Sequence, residues 1–369
     1  MPALDRATSH YRVAVLPGDG IGPEVIAEAQ KTLELAADLA GFTVAVEQFE
    51  AGGAHYLATG TVMADDLPAR LAEFDAILAG PFGDPRVSDE LVLWGTILEL
   101  RQRFDQYVNL RPARALPGVP TWLRSTDREA FDVVVVRENT EGEYAGAGGR
   151  VHRGRTSEVA VETSVFTRSG VERVIRYAFE YARGHERGRV TSATKSNALR
   201  HAMPFWDEVM REVAADYPEI EHESVLIDAQ AARVVTDPQS LDVVVASNLF
   251  GDVLSDLTAA AAGGLGIAPS ANLDPTRVGP SLFQAVHGSA PDIAGRGVAN
   301  PVAEILSVAL MLQFAGQAEC TVAIEQAVAA STANPETRTR DLAGQATTRA
   351  AGEAIRGHLA RVWEGAAAG

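Results

Sequence analysis

The chain has 369 residues, room for two domains around separate or shared cores, and carries 49 acidic against 32 basic residues for a formal charge of −17. That surplus excludes a surface that tracks nucleic-acid phosphates and leaves only local basic pockets. A lone cysteine, Cys320, excludes an intramolecular disulfide, MPALDRATSH lacks the apolar core of a signal peptide, and no apolar run is long enough to span a bilayer, so a cytoplasmic protein without membrane or nucleic-acid partners is expected.

Strand-length β-branched runs and helical periods alternate along the chain. RVAVLP (12–17) predicts a strand and IGPEVIAEAQKTLELAADLA a helix, followed by strands FTVAVEQF (42–49), DAILAG (75–80), FDVVVVR (131–137) and EVAVETSVF (158–166). The period of GVERVIRYAFEYAR is helical, RVTSAT (189–194) reads as a strand, LRHAMPFWDEVMREVAADY as a helix and LDVVVASN (241–248) as a strand. NPVAEILSVALMLQFAG and the alanine-rich stretch ending at Trp363 close the chain as helices. All seven strand runs are expected to be buried, in an α/β fold with a parallel or mixed sheet. No repeat or low-complexity linker marks a boundary, which fits a chain that leaves one domain and later returns to it.

Seven segments carry chemistry. LPGDGIGPEV (16–25) has G-x-G-x-G after a strand, not the G-x-G-x-x-G of a Rossmann turn. SNLFGDVLSDL (247–257) places Asp252 and Asp256 four apart, on one helix face if Asp252 opens the helix. Two readings stand for them: a helix cap with a solvated acid, or two oxygen ligands for Mg²⁺ or Mn²⁺. Asp228 directly follows the apolar run SVLI and admits the same alternatives. ILELRQRFDQYVNLRP (97–112) and VVVVRENTEGEY (133–144) supply Arg101, Arg103, Arg111 and Arg137. Guanidinium suits bidentate carboxylate capture; a solvated helix face explains Arg103 but explains poorly Arg137, which ends a run of four valines. Thr140 and Glu143 fit a capping box, which leaves Tyr144 unaccounted for.

Of the basic residues only Lys31 and Lys195 are lysine. Retaining lysine just past the strand RVTSAT suggests a task arginine cannot perform, the release of a proton near neutral pH. In AVHGSAPDIAGRGVANP (285–301) the glycines, Asp292 and Asn300 either build a long loop or offer backbone N–H groups to a pyrophosphate and a carboxylate to a ribose diol.

Taken together, LPGDGIGPEV, LRQRFDQYVNLRP, VVRENTEGEY, NLFGDVLSDL and HGSAPDIAG…ANP resemble the β-decarboxylating dehydrogenases of (2R)-hydroxy acids, from about Leu16 to Gly316. The resemblance implies an isopropylmalate-dehydrogenase-like two-domain fold with a mixed central sheet, with 1–106 plus 263–369 as the cofactor domain and 107–262 as the dimerisation and substrate domain. It implies substrate contacts at Arg101, Arg111 and Arg137, metal ligands at Asp228, Asp252 and Asp256, and Lys195 and Tyr144 as base and acid. It implies cofactor contacts at Ile21, Gln284, His287, Gly288, Ser289, Ala290, Asp292 and Asn300. In the family the lysine and the first aspartate reach the site from the partner subunit, so a homodimer with shared sites is implied. NAD is favoured over NADP because Asp292 would repel a 2′-phosphate, with Mg²⁺ or Mn²⁺ and a monovalent cation as further candidate cofactors. LWG, SATKSN and APSAN look most like the tartrate and D-malate members, and Trp94, unless it is core, suits a small C3 substituent. A 3-alkylmalate enzyme and a non-catalytic regulatory homologue are the alternatives. Gln284 stands where the family commonly has glutamate, an amide in place of a carboxylate.

Overall fold

The computed structural model describes residues 9–124 and 131–367; the start of MPALDRATSH, through residue 8, lies outside them. Ten strands form one sheet in the order β2 (Thr43–Gln48), β1 (His10–Leu16), β3 (Ala76–Ala79), β12 (Ser281–Ala285), β11 (Pro269–Leu273), β4 (Val108–Arg114), β5 (Asp132–Glu138), β10 (Val243–Ala246), β8 (Arg189–Thr194) and β9 (Glu221–Leu226). The first four run parallel, as do the last four, and the three junctions around β11 and β4 are antiparallel. The sheet is mixed. Strands on one side of the β11–β4 seam come from residues before 107 or after 262, and those on the other side from the stretch between.

The centre of the sheet is a continuous apolar layer: Val133–Val136 and Val243–Val245 are buried throughout, as a strand covered on both faces requires. Two runs expected to be buried are not. EVAVETSVF forms β7 (Val159–Val165), exposed at every position, because it pairs only with β6 (Gly142–Val151) in a two-stranded ribbon outside the main sheet. FTVAVEQF forms β2, the sheet edge, whose residues alternate between partial and full exposure.

The Gly22–Ala40 helix begins with Pro23 and Glu24 in its first turn and ends at Gly41, whose φ of 74° is the left-handed conformation that favours glycine. The Val302–Phe314 helix packs on β11 and β12, while the Arg168–Gly184 helix covers β5, β10 and β8. The Asn248–Ala262 helix crosses β4 and β5. It starts four residues before Asp252, so Asp252 does not open the helix as the sequence suggests. Among the described residues no helix is long and apolar enough to cross a membrane.

Candidate active site

The glycine loop after β1 is built for close packing. Asp19, almost fully buried, accepts the backbone N–H groups of Gly53 at 2.7 Å, Ala54 at 2.8 Å and Gly83 at 2.7 Å, tying the start of the Gly53–Thr59 helix and the loop at Gly83 to one carboxylate. Gly20 sits at φ 60°, where a Cβ would lie 1.9 Å from the carbonyl oxygen of Ser289, and the next N–H, of Ile21, donates to that oxygen at 2.8 Å. The loop thus braces the segment that carries His287 to Asn300.

Three arginines converge under the Asn248–Ala262 helix. Arg111 projects from β4: its Nε donates to Asn109 Oδ1 at 2.6 Å, and one Nη donates to Ser255 at 2.8 Å and lies 3.3 and 3.5 Å from Asp252 and Asp256. Arg137, at the end of β5, donates to Asn248 Oδ1 at 3.0 and 2.7 Å and ion-pairs with Asp252. Tyr144, on β6, donates its hydroxyl to the other Asp252 oxygen at 3.1 Å, and the Arg137 guanidinium lies 5.4 Å from the centre of its ring. Arg101 differs. It is 5 % exposed, its Nε donates to Asn272 Oδ1 at 2.9 Å, and among the described residues it forms no ion pair.

Burial and the neighbouring Arg137 and Arg111 hold Arg101 well below the usual guanidinium range, and burial and Arg137 push Arg111 down to about 10. Burial alone would raise Asp252, but Arg137 and Arg111 outweigh it and hold the carboxyl below its ordinary value. Asp256 moves up, through burial and the adjacent Asp252 charge against the pull of Arg111. Tyr144 is raised by burial and by Asp252, so its hydroxyl keeps its proton at neutral pH.

Lys195 and Asp228 form a second group. Lys195 follows β8, Asp228 lies in the first turn of the Ile227–Thr236 helix, and Nζ meets Oδ1 at 2.6 Å, a contact that lowers the Asp228 carboxyl. Among the described residues no hydrogen bond or ion pair joins this pair to the arginine cluster, and no three metal-ligating side chains gather in one chain. Trp94 lies in a π-helical turn (Trp94–Leu98), 38 % exposed, with its ring against Gly146 of β6, where a Cβ would come within 2.8 Å.

The isocitrate/isopropylmalate dehydrogenase family model matches residues 12–355. The chain belongs to that family. The dehydrogenase is 49 % identical over 355 residues to an Escherichia coli D-malate dehydrogenase [decarboxylating], covering 93 % of this chain and 97 % of that one. It is 47 % identical over 364 residues to a tartrate dehydrogenase/decarboxylase of Pseudomonas putida, covering 95 and 98 %. Among solved structures, isocitrate dehydrogenase from Methylococcus capsulatus superposes with a TM-score of 0.86 at 36 % identity over 95 % of this chain and 99 % of that one.

Within the dehydrogenase, Ile21, His287, Gly288, Ala290 and Asn300 line one cavity of about 660 Å³, whereas Gln284, Ser289 and Asp292 do not. Arg296, Arg340 and Asp341 also line it and escaped sequence reasoning; Asp341 accepts from Asn300 Nδ2 at 2.9 Å. The buried His287 Nε2 and Gln284 Oε1 have no hydrogen-bond partner, as groups awaiting a polar ligand would not. Asp252 and Asp256 offer oxygen donors one helical turn apart, a set that fits Mg²⁺ or Mn²⁺ once a further ligand is supplied from outside the cluster. Asn109 and Asn272 on strands and Asn248 and Ser255 on the helix were also missed: these are uncharged polar residues whose partners are distant in the chain, so nothing local marks them. Glu143 does not form a capping box with Thr140. From β6 it accepts Ser247 Oγ at 2.9 Å and Leu249 N–H at 3.0 Å, capping the helix that carries the aspartates.

Proposed function

We propose that this dehydrogenase oxidises and decarboxylates a (2R)-hydroxy diacid, D-malate or tartrate, using NAD and Mg²⁺ or Mn²⁺ as a homodimer with shared sites. The observation that carries the reading is Arg101: a buried cation that forms no ion pair among the described residues, beside two more buried arginines, is stabilised by an incoming dianion. The relatives named above share most of this chain, and Trp94 against Gly146 limits the room beside the cluster, which favours hydrogen or hydroxyl at C3 over an alkyl group.

Arg101, Arg111 and Arg137 bind and orient the two carboxylates. Lys195 accepts the proton of the C2 hydroxyl, and Tyr144, kept protonated, delivers a proton to C3 after CO₂ departs. When bound, NAD would supply the hydride acceptor and the divalent cation Lewis-acid polarisation of the substrate. Asp252 and Asp256 would hold the cation together with Asp228 of the second subunit, which supplies the ligand that one chain lacks. The cavity at His287 and Asn300 would take the adenosine half of NAD, and the carboxylate of Asp292, in the same loop, would disfavour a 2′-phosphate.

A panel of D-malate, tartrate, 3-isopropylmalate, other 3-alkylmalates and isocitrate, followed by NADH absorbance with Mn²⁺ or Mg²⁺, tests this. D-malate or tartrate is expected to give the highest kcat/KM, and chelation to abolish turnover. Folded protein inert toward the whole panel would sink the reading. Lys195→Arg keeps the charge but removes the accessible proton affinity, so kcat should fall by about 100-fold or more.

A further inference from the structure

Three buried asparagines lie where the two halves of the sheet meet. Strand register sets Asn272 of β11 opposite Asn109 of β4, and Asn109 opposite Arg137 of β5, so the three occupy one cross-strand row. Asn139 follows directly after β5, and none of the asparagines is more than 1 % exposed. The Asn272 carboxamide oxygen accepts from Arg101 Nε at 2.9 Å, Asn109 Nδ2 at 2.6 Å and Asn139 Nδ2 at 3.0 Å. Asn109 in turn accepts from Arg111 Nε at 2.6 Å. A guanidinium only donates, so the two arginines dictate which end of each amide faces them, and the polarity of the whole row follows.

The Arg101 side chain has no other hydrogen-bond partner among the described residues. Its direction is therefore set by Asn272, and gripping it through Nε leaves the two Nη groups free for a carboxylate. A neutral amide achieves this without cancelling the charge the substrate needs; an aspartate there would cancel it. Arg101 and Asn272 belong to the segments before 107 and after 262, whereas Asn109, Asn139 and Arg111 belong to the segment between. The row crosses the seam.

We propose that Asn272 is a positioning residue: with Asn109 and Asn139 it fixes the relative placement of Arg101 and Arg111, and so ties the substrate clamp to the alignment of the two halves of the sheet. The proposal rests on the functional reading above, in which those arginines take the substrate carboxylates.

Asn272→Ala and Asn272→Asp in the full-length protein test it. The alanine variant removes the shared acceptor; the aspartate variant keeps an acceptor for all three donors but pairs with Arg101. Both should raise KM for the hydroxy diacid about tenfold or more while KM for NAD changes less than about twofold. If the alanine variant does not fold, the aspartate variant carries the test. An independent readout is the Arg101 Nε–H NMR resonance of the ligand-free protein, which should shift in either variant. A folded Asn272→Asp protein with the wild-type KM for the diacid overturns the proposal. So does an unmoved Arg101 resonance, or a parallel rise of both KM values with a lowered Tm, which is what a purely structural role produces. If the wild type turns over no diacid while the resonance still shifts, the positioning role stands and the substrate assignment falls.

Discussion

The Asp252 carboxylate takes contacts from Arg137, Arg111 and Tyr144 at once, and lying inside the Asn248–Ala262 helix it is not the helix cap, while Asp256, one turn on, is exposed. Asp252→Asn keeps the shape but removes the charge that offsets the buried arginines, so kcat should fall by about 100-fold or more, and the Mn²⁺ concentration giving half-maximal rate should rise, in a metal titration. A different buried acid bears on stability. Glu304, in the first turn of the Val302–Phe314 helix, is fully buried, its carboxyl oxygens have no hydrogen-bond partner, and burial pushes it up to about 8 from an ordinary 4.5. The folded state therefore holds a proton that the unfolded chain has released, and the stability this confers, complete below 4.5, drains away as pH rises through 8. Glu304→Gln removes the dependence: its Tm relative to wild type should climb between about pH 5 and pH 8, and a flat difference across that range would contradict the burial account.

At the scale of the element, the Asn248–Ala262 helix organises the cluster by period. Asn248, Asp252, Ser255 and Asp256 fall at helical spacings on one face and meet Arg137 and Arg111 from β5 and β4. Gly251 lies against the same surface, where a Cβ would stand 2.6 Å from Arg137 Cβ and 2.7 Å from its Cγ. Replacing a helical glycine with alanine ordinarily gains up to about 1 kcal/mol of helix propensity. Here overlap with atoms next to the backbone outweighs that gain, so Gly251→Ala should lower Tm and raise KM for the diacid. A raised Tm with unchanged KM would show that the helix can slide to make room. The Gly20 turn makes a parallel case on the cofactor side: Gly20→Ala should displace the Ser289 segment and raise KM for NAD several-fold, with a smaller change for the diacid.

The whole molecule poses the question of where Lys195 and Asp228 act, since within one chain they pair with each other and leave the arginine cluster without a base. The dimer with shared sites proposed above is one answer, and mixing subunits tests it. Lys195→Ala and Arg101→Ala homodimers should each be inactive, but subunits exchanged at random should recover about a quarter of wild-type activity, because half the dimers are mixed and each of those carries one intact site. No recovery, with exchange verified by mass, would show the sites to be self-contained.

How far the chain explains itself depends on the kind of signal each feature leaves. Val133–Val136 and Val243–Val245 announce buried strands because side-chain type and burial coincide there, and the arginines, the two aspartates, Tyr144 and Lys195 stand out as charges or polar groups placed beside apolar runs. Burial itself did not follow from type: the valines of β7 are exposed, since exposure is decided by whether a second layer covers the strand, a property of topology and not of local sequence. Nor could the asparagine row be read along the chain, because Asn272 and Arg101 are 171 positions apart and asparagine alone suggests a turn. The alternation of strand and helix and the chemical types in the site are short-range properties, legible along the chain. Which charges share a partner depends on strand register and helix packing, which bring together residues that covalent order keeps apart, leaving Arg101 with no ion pair among the described residues and Lys195 apart from the arginines it is expected to serve.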